Sequence, residues 1–304
     1  MVSFRFHLVS LVAVFLALGL GVLTGTTVLN RGIVAQLERQ TDVLAEGSDR
    51  LREEVRGLQS EVEGWDGFGR EVGAFVTEGR LLGHQIVLVT QEGTDTLAID
   101  RVRRGLEGAG ASLLAVISVS ERMALEEPAD AGDLAALLGS TESEPEALGE
   151  EAAGRLAERM VSGPIGTDLL EALLDAGFLL NRGPGLGAAA VRSLGGGDQV
   201  VVVVAGGGGE PVVDPAAFLV PFVRAVAEGG SPMAAGEGIA TEYPFVGLLR
   251  SGDPASRLIV TQDNVDQLPG EVGLVLGIER LVEDRLAGHY GIKGGADEVV
   301  PPLT

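Results

Sequence analysis

The order of apolar and polar positions divides the chain into three regimes. The first is a run without charge. From Leu8 to Asn30, 23 residues carry no acid or base, and as a helix they would extend roughly 34 Å, enough to cross a hydrocarbon core of about 30 Å. A cleaved export signal would carry a shorter apolar region of about 7–15 residues ending in a small-residue site. The nearest such site, Ala17-Leu18-Gly19, is followed by more hydrophobic sequence through Leu29, so the pattern predicts an anchor that is retained. Small residues recur at every fourth position, Ala13, Ala17, Gly21 and Gly25, and the last two form a G-x-x-x-G. Such a stripe lets helix backbones approach closely in a membrane. A lipid-facing helix is the plainer alternative.

The second regime is a charged helix with a seven-residue ladder: Leu37, Leu44, Leu51, Leu58, Trp65 and Val72. A second apolar set falls at Val55, Val62 and Val76, and charged residues such as Glu38, Arg39, Arg52 and Glu53 flank the seam. This is the periodicity of a coiled coil. The seam is imperfect, because Thr41 and Ser48 occupy the partner row and Gly47, Gly57 and Gly64 interrupt it. An amphipathic helix packed on its own domain is the alternative reading. Four-residue steps from Gly25 lead through Leu29 and Ile33 to Leu37, which predicts one helix-pairing surface running from membrane to coiled coil.

The third regime alternates strand-like and helix-like runs, beginning with the strand-like His84–Thr90. Further strands are expected at Ser112–Val119, Val200–Ala205, Ser231–Ala235 and Arg257–Thr261, with helices near Asp95–Ala109, Pro215–Glu228 and Pro269–Ala287. Alternation of this kind implies a mostly parallel sheet with crossover helices, a Rossmann-like three-layer α/β domain. The stretch Glu121–Glu151, rich in Glu, Asp, Ala, Ser and Pro, reads as a solvated insertion or helix-loop. The expected organisation is therefore head and anchor (1–30), coiled-coil stalk (31–80), α/β domain (81–290) and irregular tail (291–304). The seven-residue head and the large acidic remainder favour a cytoplasmic N-terminus and an exterior body in a single-pass envelope protein.

Composition narrows the chemistry. A net charge of −22 over 304 residues argues against nucleic acid as a partner, since phosphates would be repelled. The absence of cysteine removes disulfides, thiol catalysis and thiolate metal sites. The 22 basic residues include one lysine, Lys293. With three histidines, His7, His84 and His289, and no G-x-S-x-G, no nucleophilic triad is visible, and the chain is not expected to be an enzyme. Four scattered methionines and the separated histidines offer no convergent metal ligands, so neither a metal site nor a cofactor is expected.

Two glycine-rich runs remain. Gly183–Ala188 fits G-x-G-x-x-G/A, but only a weak strand precedes it and the next acid, Asp198, comes too early for a dinucleotide site. It reads as a loop. Gly206–Gly209 follows a strong strand and lacks the Lys-Ser/Thr of a phosphate loop, which makes a flexible connection the better reading. Asp263 and Asp266 follow the Arg257–Thr261 strand, where α/β folds place functional loops, although a turn or helix cap would use the same residues.

Several of these features together resemble the actinobacterial envelope family named for mycobacterial copper transport protein B (MctB). They are Phe4-Arg5-Phe6-His7, the apolar run beginning Ser10-Leu11-Val12, the Leu ladder, Val265-Asp266, and Gly288-His289-Tyr290-Gly291 with a Pro-bearing tail. The resemblance runs end to end. It implies a membrane-anchored envelope protein associated with copper transport or homeostasis, with copper implied by the resemblance alone. It also marks Asp266, His289 and Tyr290 as family-motif residues without a known role. Other proteins of this architecture act in corynebacterial cell separation, where a coiled coil and exterior domain help control a peptidoglycan hydrolase. The partners expected on either reading are the membrane and another envelope protein, or further copies of this chain, joined through the helices.

Overall fold

The computed structural model describes the backbone of residues 4–303 apart from 165, 167, 184–187, 197, 198, 244 and 253, and the side chains of 4–5, 26–39, 66, 188 and 189 lie outside it as well. The chain divides into two compact units, Met1–Gly67 and Phe68–Thr304. One helix, α1 (Phe4–Thr77), begins in the first unit and ends in the second.

Within the first unit, the segment Phe6–Gly25 has a mean hydropathy of 2.4 and none of it is buried. Twenty residues rise about 30 Å, the thickness of a bilayer core. Ala13 and Ala17 are exposed on this segment, and beta-carbons built on Gly21 and Gly25 would meet nothing. The Thr24 hydroxyl donates back to the Leu20 carbonyl, which satisfies a polar group inside an apolar run. Further along, Leu44, Leu51, Leu58 and Trp65 are all exposed. Leu37, the first rung of the ladder, lies outside the described side chains.

The second unit is an α/β body. Its strands are β1 (Gln85–Gln91), β2 (Ser112–Val119), β3 (Leu179–Asn181), β4 (Val200–Val204), β5 (Met233–Gly236), β6 (Ile259–Gln262) and β7 (His289–Tyr290). They form one sheet in the order β3-β2-β1-β4-β5-β6-β7. All neighbours are parallel except β3, which runs antiparallel to β2. The order reverses between β1 and β4, so the loops leaving these two strands flank the switch point of the sheet. The mostly parallel α/β class expected from the alternation is what the chain adopts.

The two faces of the sheet carry separate cores. Helices α2 (Thr96–Gly108) and α9 (Leu268–Asp284) cover one, packing Val102, Leu106, Leu274 and Ile278 on Ile86, Leu88, Val200 and Val202. The other is covered by α3 (Pro128–Leu138), α4 (Pro145–Ser162), α5 (Leu169–Asp175), α7 (Leu219–Glu228) and α8 (Phe245–Arg250), which pack Leu148, Leu170 and Phe222 on Val87, Val201 and Val203. A short helix, α6 (Ala188–Arg192), lies between β3 and β4. β4 explains its own sequence, since five consecutive valines are buried and a central parallel strand needs apolar side chains on both faces.

Several details differ from the sequence expectation, among them the start of α7 at Leu219 rather than Pro215. Glu121–Glu151 is a helix-loop, but Leu134, Leu138 and Leu148 reach the core, so it is structural rather than a solvated insertion. Helix α8 was not anticipated, being only six residues long. The last helix ends at Asp284 rather than Ala287, because Arg285 takes a left-handed conformation (φ 59°) and the Leu286 amide closes onto the Arg280 carbonyl.

Helix α9 approaches the turn after β6 so closely that glycine is required at position 270. A beta-carbon there would lie 2.1 Å from the Asn264 carbonyl oxygen, and backbone cannot move aside as a side chain can. Gly270→Ala is expected to destabilise the protein by about 1–3 kcal/mol in urea denaturation followed by circular dichroism. Gly132→Ala, in the open interior of α3, is expected to stabilise it by up to about 1 kcal/mol.

Candidate functional site

In an open parallel sheet, ligands bind where the strands end at their carboxyl side. At the β5–β6–β7 end that edge is occupied by the protein's own charges. Asp263, the first residue after β6, is fully buried, and its carboxylate accepts from the Arg250 guanidinium at 2.8 Å and from the Ile292 and Lys293 amides at 2.6 and 3.1 Å. Arg250, at the end of α8, also donates to Thr261 Oγ1 and to the Tyr290 carbonyl. A carboxylate taken out of water is costly unless it is paired and hydrogen-bonded in this way. Gly291 follows from it, since a beta-carbon there would fall 2.2 Å from the Asp263 carboxyl carbon.

A second ion pair stands beside the first. The Lys293 ammonium donates to Glu237 Oε1 at 2.8 Å and to the Gly238 carbonyl at 3.0 Å, and the other Glu237 oxygen accepts the Val246 amide at the start of α8. Lys293 thus ties the tail to the loop after β5. A guanidinium could form a comparable pair with Glu237, so nothing in the geometry makes an ammonium obligatory.

The family-motif residues belong to the same construction. Asp266 Oδ1 accepts the Ile239 amide at 2.8 Å, holding the β5 loop against the β6 loop. Tyr290 packs in the core with its ring against Gly277 and Gly288 and its hydroxyl facing the Arg280 guanidinium, and burial raises the phenol above its ordinary range. His289 Nδ1 stands 2.9 Å from Thr261 Oγ1, so the hydroxyl can accept from Arg250 and donate to a neutral ring. Burial, followed by the Arg250 charge, lowers the imidazole pKa from its usual value.

Among the described residues, amides at the N-terminus of α2 and in the Gly206–Gly209 run are already engaged within the protein. The N-terminus of α2, which would face a pyrophosphate in a dinucleotide fold, is capped by the Asp95 carboxylate through the Leu97 amide. Of the Gly206–Gly209 run, the Gly209 amide is given to the Glu242 carboxylate, and Gly207 sits against the Gly93 carbonyl, where a beta-carbon would be 2.6 Å from its oxygen. The motif at 183–188 falls largely on residues 184–187, outside the described residues, while the Gly183 amide bonds the Asn181 side chain.

Soft metal donors do not converge. Met123, Met160 and Met233 are buried in the core, His84 pairs with Glu283, and His7 lies in the first unit. Among the described residues no three His, Asp or Glu side chains are placed to hold a metal ion. Sequence reasoning singled out Asp266, His289 and Tyr290, and considered Asp263. It did not find Arg250, Glu237, Thr261 or Lys293 as their partners, although a lone lysine among 22 basic residues was the available signal.

The chain is an α/β protein whose sequence opens with a helix having a first stretch long and apolar enough to cross a membrane. The model of the family described as "Copper transport outer membrane protein, MctB" matches residues 1–301. The chain belongs to this family. It is 24% identical over 331 aligned residues to the proteins named "Copper transporter MctB" of Mycobacterium tuberculosis (strain ATCC 25618 / H37Rv) and Mycobacterium bovis, covering 98% of this chain and 99% of each relative. The relative of that name from Mycobacterium leprae is 25% identical over 340 residues, covering 99% of this chain and all of its own length.

The neutral His289 gives a pH test. Its folded pKa lies below the unfolded value near 6.5, so the unfolded chain binds the proton first. Its contribution is complete above about pH 6.5 and is lost as the pH falls through the folded pKa. The melting temperature should fall more steeply on acidification in the native protein than in His289→Gln. Parallel curves for the two would remove the buried neutral imidazole from the account.

Proposed function

We propose that this chain is a single-pass envelope protein taking part in copper transport or copper homeostasis, and that it acts as one component of an assembly. The observation that carries the reading is the match to the MctB family over residues 1–301, with full-length mycobacterial relatives that bear the name copper transporter. The apolar segment Phe6–Gly25 supports membrane anchoring. The short head and acidic body favour a cytoplasmic N-terminus and an exterior α/β domain.

An assembly is favoured by a physical constraint. One spanning helix cannot enclose a pore, because only several helices or a closed barrel shield both ion and backbone from lipid. The small-residue stripe Ala13, Ala17, Gly21 and Gly25, and the exposed ladder residues Leu44, Leu51, Leu58 and Trp65, provide surfaces for other helices. Copper is the cargo in this reading, and its ligands are supplied by the assembled complex or by a partner. No catalytic step is required of the chain. The names of the relatives speak to copper and do not address cell separation, the other role raised by the sequence.

Deletion of the gene is expected to raise cellular copper, measured by mass spectrometry of washed cells, and the native protein should restore it. Gly21→Leu/Gly25→Leu, expressed at the native level, should restore it incompletely and should lower the oligomer seen after cross-linking in intact membranes. Unchanged copper content in the deletion strain would contradict the role in copper handling. Full restoration with unaltered cross-linking would contradict pairing through the stripe.

A further inference from the structure

At the other end of the sheet edge, the carboxyl ends of β1 and β2 open into a cavity of about 540 Å³ beneath the first turns of α2. This lies within the range of small-molecule sites, about 300–1,000 Å³, and next to the switch point between β1 and β4, where sheets of this topology take ligands. Its floor is unusual for the sheet. Thr90 and Ser118 are Cα partners in the β1–β2 register and follow Leu88 and Val116 on the same face, so two hydroxyls end rows that are otherwise apolar.

Both residues are almost completely buried, Thr90 at 2% exposure and Ser118 at 3%. Neither hydroxyl has a hydrogen-bond partner among the described residues, yet neither oxygen is sealed from the surface, and both residues line the cavity. Buried hydroxyls left unpaired destabilise a fold. Two of them side by side, facing open volume, have the form of a prepared binding floor.

The rim sets the charge of the ligand. Arg182 pairs with Glu92 at 2.7 Å and Arg103 with Asp100 at 3.4 Å, so the charged side chains on the cavity sum to zero. A charged ligand would have to disrupt one of these pairs, and an anion would also approach a chain of net charge −22. A molecule whose groups both donate and accept could bond the two hydroxyls and the spare guanidinium hydrogens without breaking either pair. Ile99 and Val116 give its C–H face an apolar wall.

We propose that this cavity binds a small neutral polyhydroxy compound, a sugar or cyclic polyol, through Thr90 and Ser118 on the floor and the paired arginines at the rim. The site is independent of the copper reading, and its failure would leave that reading standing. The test is calorimetric titration of the full chain, in a detergent without a sugar headgroup, with glucose, N-acetylglucosamine and myo-inositol. Glucose 6-phosphate and glucosamine serve as anionic and cationic counterparts. At least one neutral probe should bind saturably, about tenfold more weakly to Thr90→Val and to Ser118→Ala, as expected for loss of one hydrogen bond. Melting temperatures of the variants confirm that they are folded. Three results would overturn the proposal: no neutral probe saturating, equal affinity in the folded variants, or binding confined to the charged counterparts.

Discussion

The carboxylate of Asp263 is the constraint on which one half of the body depends. It is held at the end of β6 with no exposure to water, and an isolated charge in that position would cost more than the fold could sustain. Its compensation is drawn from distant parts of the chain: a guanidinium from the end of α8 and two amides from the tail. Each donor fixes a segment with little core of its own. Helix α8 is six residues long and β7 only two, and the carboxylate and its arginine tie them together. Gly291 and the His289–Thr261 contact then follow as consequences of the same packing.

This arrangement divides the carboxyl edge of the sheet into two regions of different character. Around β5, β6 and β7 the loops are cross-linked by the ion pairs Asp263–Arg250 and Glu237–Lys293. At the switch point, Asp95 and Glu242 hold the amides that a phosphate would need. Over β1 and β2 the edge stays open, and there the polar groups on the floor are unpaired. The described loops at the switch point thus have these amides occupied, while the cavity over β1 and β2 is lined by charges that pair with one another.

Much of the fold was legible because it rests on strong periodic signals. The uncharged run, the five valines of β4 and the alternation of strands and helices each follow from burial, which acts on many residues at once. The errors fall where one contact decides the outcome. The end of α9 depends on a single left-handed residue, Arg285. Helix α8 depends on Glu237 accepting the Val246 amide, an interaction across nine positions that no local pattern reveals. In Glu121–Glu151 the core leucines, Leu134 and Leu138 one turn apart on α3 and Leu148 on α4, were outweighed by the acids around them. At the candidate site the motif residues could be read from the sequence, but Arg250 and Lys293 could not be assigned as their partners, since charge pairing across 13 to 56 positions leaves no periodicity.

The fully buried carboxylate of Asp263 binds the tail to the sheet. Hydrogen exchange of the full-length protein, resolved at Ile292 and Lys293, measures this directly, because their amides donate to that carboxylate. The account predicts that both amides are strongly protected, exchanging as slowly as the amides of β6 despite lying in an irregular segment near the C-terminus. Exchange at the rate of an unstructured chain would show the tail free of the sheet, and would contradict the claim.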